Sequence, residues 1–209
     1  MTAGTSRGRA EKRRAILEAA FTVFSRRGYD QAGVQEIADE AGVAKPTVYN
    51  HLTDKETVFR HAMQAAADTV AAQTLAIAEE LREPGEDLRA ALDGVAVRLL
   101  RVCCGEQAWS LHALAQGQAG RFPDVFEAVA RSTSRPLAEA LAARFAALSD
   151  AGRLRACDPA VAAEQFLALL TGPMQARSRS GTRRVSAAAV RDVAHAGVDT
   201  FLRAYQTSA

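Results

Sequence analysis

Between Val34 and His51 the chain reads VQEIADEAGVAKPTVYNH, and this stretch admits few folds. Gly42 stands where a first short helix has to stop, because glycine takes the left-handed conformation that ends helices without steric cost. Lys45 and Pro46 open a second short helix, with proline in the first turn, where a missing N–H does no harm. Ile37, Ala38, Ala41, Val43 and Val48 supply the small and apolar positions that pack the two helices together. The second helix buries little. Only Val48 and Leu52 turn inward, while Thr47, Tyr49, Asn50 and His51 are polar or aromatic. Such a helix is either a solvated surface or the reading helix of a helix-turn-helix, which lies in the major groove of DNA.

The rest of the chain is patterned for helices. Ile16, Leu17, Ala20, Val23 and Phe24 recur at helical spacing and predict helix 1 from about Arg9 to Arg27, stopped by Gly28, with residues 1–8 disordered. Gly33 takes the cap position of helix 2. Thr53 or Asp54 caps a long helix 4, about Lys55 to Leu81, which ends before the break Glu83-Pro84-Gly85. Helix 5 is expected over about Asp87–Val102 and helix 6 over about Glu106–Gln116. Helix 7 covers about Asp124–Leu148 as one helix kinked at Pro136, with Gly152 past its end. Asp158-Pro159 starts helix 8, which runs to about Ala176 unless Gly172-Pro173 kinks it or ends it early. Helix 9 spans about Ser186–Tyr205. No long alternation of apolar and polar residues indicates a strand. The fold class is therefore all-α, with about nine helices.

Charge and cysteine usage narrow the function classes. The net charge of +2 carries no global signal for nucleic acid. Locally, residues 1–14 hold Arg7, Arg9, Lys12, Arg13 and Arg14 against Glu11, which suits a phosphate-seeking arm and equally a solvated terminus. No signal peptide is visible, and no apolar run reaches the roughly 18 residues that a membrane span needs. A cytoplasmic protein without a membrane partner is expected. Cys103, Cys104 and Cys157 make a poor disulfide framework and have no zinc-type spacing, so no metal or cofactor is expected; they read as reduced core thiols or, alternatively, as a redox sensor.

The first sixty or so residues resemble the DNA-binding domain of the TetR family of bacterial transcriptional regulators. The segments that carry the resemblance are RRAILEAA (13–20), FSRRGY (24–29), VQEIADEAGV (34–43), TVYNHL (47–52), Lys55-Glu56 and Val58-Phe59. Weaker likeness extends to RFPDVF and DPAVAAEQF further on. The resemblance implies an N-terminal arm and three-helix helix-turn-helix domain over 1–54, and a C-terminal effector-binding and dimerisation domain over 55–209, joined by helix 4 at about 55–81. It also implies DNA contacts at Gln35, Lys45, Pro46, Thr47, Tyr49, His51 and Lys55. Gln35 suits adenine, Lys45 a guanine edge or a phosphate, and Pro46 a thymine methyl. Thr47, Tyr49, His51 and Lys55 suit phosphate oxygens. Asn50 departs from the aromatic common in the family and offers a base or backbone hydrogen bond. Gly33 departs from the usual hydroxyl cap, which costs only about a few tenths of a kcal/mol.

The family also implies a homodimer on a palindromic double-stranded operator, released by a small-molecule effector. Two-fold symmetry would set two reading helices about 34–36 Å apart. The apolar faces of helices 8 and 9 suit a four-helix bundle between subunits, with Phe166, Leu170, Val190, Val193, Gly197, Val198 and Phe201 as candidates; packing within one chain is the alternative. Candidate effector contacts are Met63, Leu99, Cys103, Trp109, His112, Phe126 and Phe166, a largely apolar set that suits a hydrophobic or aromatic ligand and is equally readable as core. The leading function is a transcriptional repressor. An all-helical enzyme lacks any catalytic triad, metal cluster or phosphate loop in its support, and a protein-binding module has only Gly33 in its favour.

Overall fold

The computed structural model describes residues 3–207, with side chains from residue 8 onward. Nine α-helices occur among the described residues: α1 (Ala3–Gln31, broken as expected at Gly28, φ 73° and ψ 169°), α2 (Val34–Glu40), α3 (Lys45–His51), α4 (Lys55–Glu79), α5 (Leu88–Cys103), α6 (Glu106–Gly117), α7 (Pro123–Asp150), α8 (Pro159–Ser178) and α9 (Ala187–Tyr205). A 3-10 turn, Glu80–Arg82, follows α4. Extended pairing among the described residues is limited to an isolated bridge between Leu154 and Gln206.

Helix starts follow capping chemistry. The carboxylate of Asp87 accepts the Ala90 N–H, Asp158 accepts from Ala160 and Val161, and the Ser186 hydroxyl accepts from Ala189. Asp54 caps α4 through a 2.7 Å bond from the Thr57 N–H. That bond, together with the Thr57 hydroxyl, holds the Asp54 carboxyl below its usual range. One expectation needs correction. Residues 3–8, expected to be disordered, lie in α1, whose first buried side chains come later, at Ile16 and Leu17; residues 1 and 2 lie outside the described residues. The expected span of α8 is met: the helix continues through Gly172 and the exposed Pro173 to Ser178, so the alternative of an early end does not hold. Pro136 likewise lies within the single helix α7.

The chain forms two compact units. Residues 1–69 and 110–129 make one, and residues 70–109 and 130–209 make the other. This division differs from the one expected at residue 54, and aromatic packing explains why. Phe59 of α4 and Phe122 before α7 join Phe24 and Tyr29 in one cluster, with ring centroids 5.0–5.2 Å apart for the Phe24–Phe59, Tyr29–Phe59, Tyr29–Phe122 and Phe59–Phe122 pairs. The first unit therefore gathers α1–α3, the start of α4 and the α6–α7 link.

In the second unit α9 packs against both α5 and α8. Its core includes Leu92, Val95, Leu99, Leu141, Phe145, Phe166, Leu170, Val198 and Phe201. Phe145, Phe166 and Phe201 pack pairwise at 4.9–5.5 Å, and Tyr205 stacks on Phe201 at 4.7 Å. Gly197 lets α8 and α9 approach closely, since a β-carbon there would lie 2.9 Å from the Leu170 side chain.

Candidate nucleic-acid interface

The first unit builds its exposed face from a small, firmly held motif. Ile37 and Ala38 of α2 and Val48 of α3 are fully buried, and Leu52 closes the end of α3. Gly42 has φ +65°, and the turn folds back through hydrogen bonds from Val43 N–H to the Ala38 carbonyl (2.9 Å) and from Gly42 N–H to Asp39 (3.1 Å). Arg26 and Arg27 of α1 donate to Glu36 of α2 at 2.9 and 3.2 Å, and Arg26 also reaches Glu40 at 3.4 Å. The Arg26 bond, then the Arg27 bond, holds the Glu36 carboxyl below its usual range. These contacts tie α2 to α1.

Held in this way, α3 turns one buried residue, Val48, inward and offers the rest outward. Lys45, Pro46, Tyr49 and Asn50 are exposed, with Tyr49 at 42%. Thr47 and His51 are half-buried along the same helix. Gln35 is exposed on α2, but its amide donates to Asp39 at 2.8 Å and has to leave that bond to pair with a base. Lys55 is half-buried at the start of α4. Its ammonium donates to the Asp30 carbonyl at 3.0 Å and lies 4.8 Å from the centre of the Tyr29 ring. Further donor hydrogens on that ammonium remain for a phosphate.

The candidate effector residues divide between the two units. Met63, His112 and Phe126 belong to the first unit, and Leu99, Cys103, Trp109 and Phe166 to the second. Met63, Leu99 and Phe166 are buried in packed core, whereas Phe126 is 42% exposed. His112 is exposed, with the protein beside its ring lowering its pKa from the ordinary imidazole value. A depression of about 140 Å³ in the first unit is lined instead by Arg60, Gln64, Asp124, Val125, Ala128 and Val129. In the second unit the indole N–H of Trp109 is buried without a hydrogen-bond partner, and Gly181 lies against the ring. The three cysteines are free and half-buried. Burial pushes the Cys103 thiol up to about 11 and the Cys104 thiol to about 12, which makes both poor nucleophiles at neutral pH.

The candidate dimer residues also need correction. Phe166, Leu170, Val190, Val193, Gly197, Val198 and Phe201 are all buried within their own unit. Their apolar spacing marks a buried face, and α5, α8 and α9 of the same chain are what cover it. A side chain already covered in this way offers no surface to a second subunit.

An all-helical chain carrying a helix-turn-helix with an exposed second helix defines a class, that of DNA-binding regulators. Comparison with known proteins narrows it. Residues 16–62 match the N-terminal domain model of bacterial regulatory proteins of the tetR family, and residues 90–207 match the C-terminal domain of AefR-like transcriptional repressors. A TetR-family transcriptional regulator from Mesorhizobium loti is 32% identical, with a TM-score of 0.87 over 95% of this chain and 98% of that one. The flavonoid-responsive regulator FrrA is 26% identical, with a TM-score of 0.68 over 96% of this chain and all of FrrA (100%). The transcriptional activator FasR of Mycolicibacterium smegmatis is 36% identical over 85 residues, which are 41% of this chain and 39% of FasR, so the alignment spans well under half of that relative. The chain belongs to the TetR family and is a DNA-binding transcriptional regulator.

Among the described residues no helix is long and apolar enough to cross a membrane, and no His, Cys, Asp and Glu cluster is arranged to hold a metal ion.

Proposed function

We infer that the protein is a homodimeric repressor that binds a palindromic operator and is released by a small, largely apolar effector. The observation that carries this reading is the face of α3, where Lys45, Pro46, Tyr49 and Asn50 stand exposed on a helix anchored by Val48. In the complex, Gln35, Lys45, Pro46 and Asn50 meet base edges, and Thr47, Tyr49, His51 and Lys55 meet phosphates. Repression is supported by the match of residues 90–207 to AefR-like repressors, which covers most of the part of the chain assigned to the effector. The apolar character of the effector is supported by the flavonoid response named for FrrA.

Since the apolar faces of α8 and α9 are used within the chain, the dimer forms through their outward sides. Val161, 43% exposed on α8, and the small exposed residues Ala168, Gly172 and Ala196 suit close packing of helices across a two-fold axis. Selection of bound duplexes from a random pool tests the whole reading. A palindrome with half-sites about one helical turn apart is the expected result. Failure of folded, ligand-stripped protein to enrich any sequence would sink it.

A further inference from the structure

The sequence Arg121-Phe122-Pro123-Asp124 links α6 to α7, and three of its four side chains are committed to one corner of the DNA-binding unit. Phe122 is 2% exposed and fills the aromatic cluster beside Tyr29 and Phe59. Asp124 pairs with Arg60, whose guanidinium lies 5.0 Å from the centre of the Phe122 ring. Arg121 lies 4.6 Å from the centre of the Tyr29 ring and 5.3 Å from that of Phe122, and donates to the Asp30 carboxylate at 3.2 Å.

Asp30 is the residue that matters here, because it has two cationic neighbours with different claims on it. Its carboxylate is taken by Arg121, and its backbone carbonyl by Lys55 at 3.0 Å. Both cations also lie against the same Tyr29 ring, Lys55 at 4.8 Å and Arg121 at 4.6 Å. A carboxylate is a far stronger partner for an ammonium than a carbonyl is. With Arg121 absent, the Asp30 carboxylate loses its cation, on the same residue whose carbonyl already holds the Lys55 ammonium. An ion pair formed there would spend the charge that Lys55 brings to a phosphate.

We propose that Arg121 is a positioning residue for DNA binding: by occupying the Asp30 carboxylate it leaves the Lys55 ammonium free to neutralise a phosphate. The inference rests on the phosphate role given to Lys55 above. The Arg121–Asp30 pair is itself exposed, and exposed pairs add little to stability. Its loss should therefore be read in DNA binding rather than in unfolding.

The experiment measures the affinity of the full chain for its selected operator duplex as a function of salt, for wild type, Arg121→Gln, Lys55→Gln and the double variant Arg121→Gln/Asp30→Asn. In the dimer each substitution removes two phosphate contacts, one per subunit, which lowers the slope of log affinity against log salt by about 1.8 and weakens binding by about 25- to 100-fold at moderate salt. Arg121→Gln and Lys55→Gln should both show this loss, and adding Asp30→Asn to Arg121→Gln should restore the slope. Thermal unfolding of Arg121→Gln should stay close to wild type. A slope lost in Arg121→Gln and not restored by Asp30→Asn would mean that Arg121 touches phosphate itself, and would overturn the proposal. So would an unchanged slope, or a loss of affinity that tracks a loss of thermal stability. A wild type that binds no duplex would overturn the DNA-reading assignment and this inference together, and is distinguished from the other outcomes by the wild-type arm alone.

Discussion

Helices α3 and α9 use their side chains in opposite ways. The seven residues of α3 bury one, Val48; the nineteen of α9 bury eight, from Val190 to Tyr205. A seven-residue helix is too short to be stable alone, so its position is set by what holds it: the Gly42 turn, the Val48 anchor and the α1–α2 ion pairs. The unburied face of α3 is then available for recognition. The apolar face of α9 is consumed by α5 and α8, and its contribution is to stability. Substitutions should separate accordingly, with stability lost in one region and binding in the other.

The sharpest break falls in the second unit. Phe201 is fully buried between Phe145, Phe166 and Tyr205, so Phe201→Ala should cost about 3–5 kcal/mol in urea unfolding. A cost below about 1 kcal/mol would mean that α9 is not the core element described here.

A smaller effect is expected at Gly181, in the turn between α8 and α9. Its φ is +87°, it follows Arg179 and Ser180 at +48° and +53°, and a β-carbon there would meet Trp109 at 2.5 Å. Gly181→Ala should cost about 1–3 kcal/mol and shift the emission of Trp109, the single tryptophan in the chain. Unchanged emission would place the turn elsewhere.

The smallest effect lies at the start of the reading motif. Gly33 occupies the cap of α2 with extended backbone, φ −102° and ψ 142°, and no side-chain bond. Gly33→Ser should stabilise the protein by only a few tenths of a kcal/mol, about the margin between glycine and serine caps, as read from its urea midpoint. A gain beyond about 1 kcal/mol would show that the motif is less well held than its buried anchors suggest.

Much of this was legible in the sequence because the signals are local. Gly42 and Pro46 punctuate the helix-turn-helix, and Asp158 and Ser186 mark the starts of α8 and α9 where they were expected. The exposure of Tyr49 also follows from its spacing relative to Val48. What was hidden depends on partners distant in the chain. Periodicity marks Gly197 and Phe201 as buried, but it does not say that Leu170 and Phe145 of the same chain cover them. Phe126 has the composition of a pocket wall and stands 42% exposed. The bond from Arg121 to Asp30 joins residues 91 positions apart, and a charged residue before a buried Phe122 carries no signal of its target.

The measurement that bears most directly on the division of labour between α3 and α9 is a paired one on Tyr49→Ala, of operator affinity and of urea unfolding in the same preparation. Tyr49 is exposed, so its truncation should leave the unfolding midpoint within about 0.5 kcal/mol of wild type. Operator affinity of the dimer should fall by about a hundredfold, the scale of one contact of about 1–2 kcal/mol lost from each subunit. Normal operator binding by a folded Tyr49→Ala protein would contradict the assignment of the α3 face.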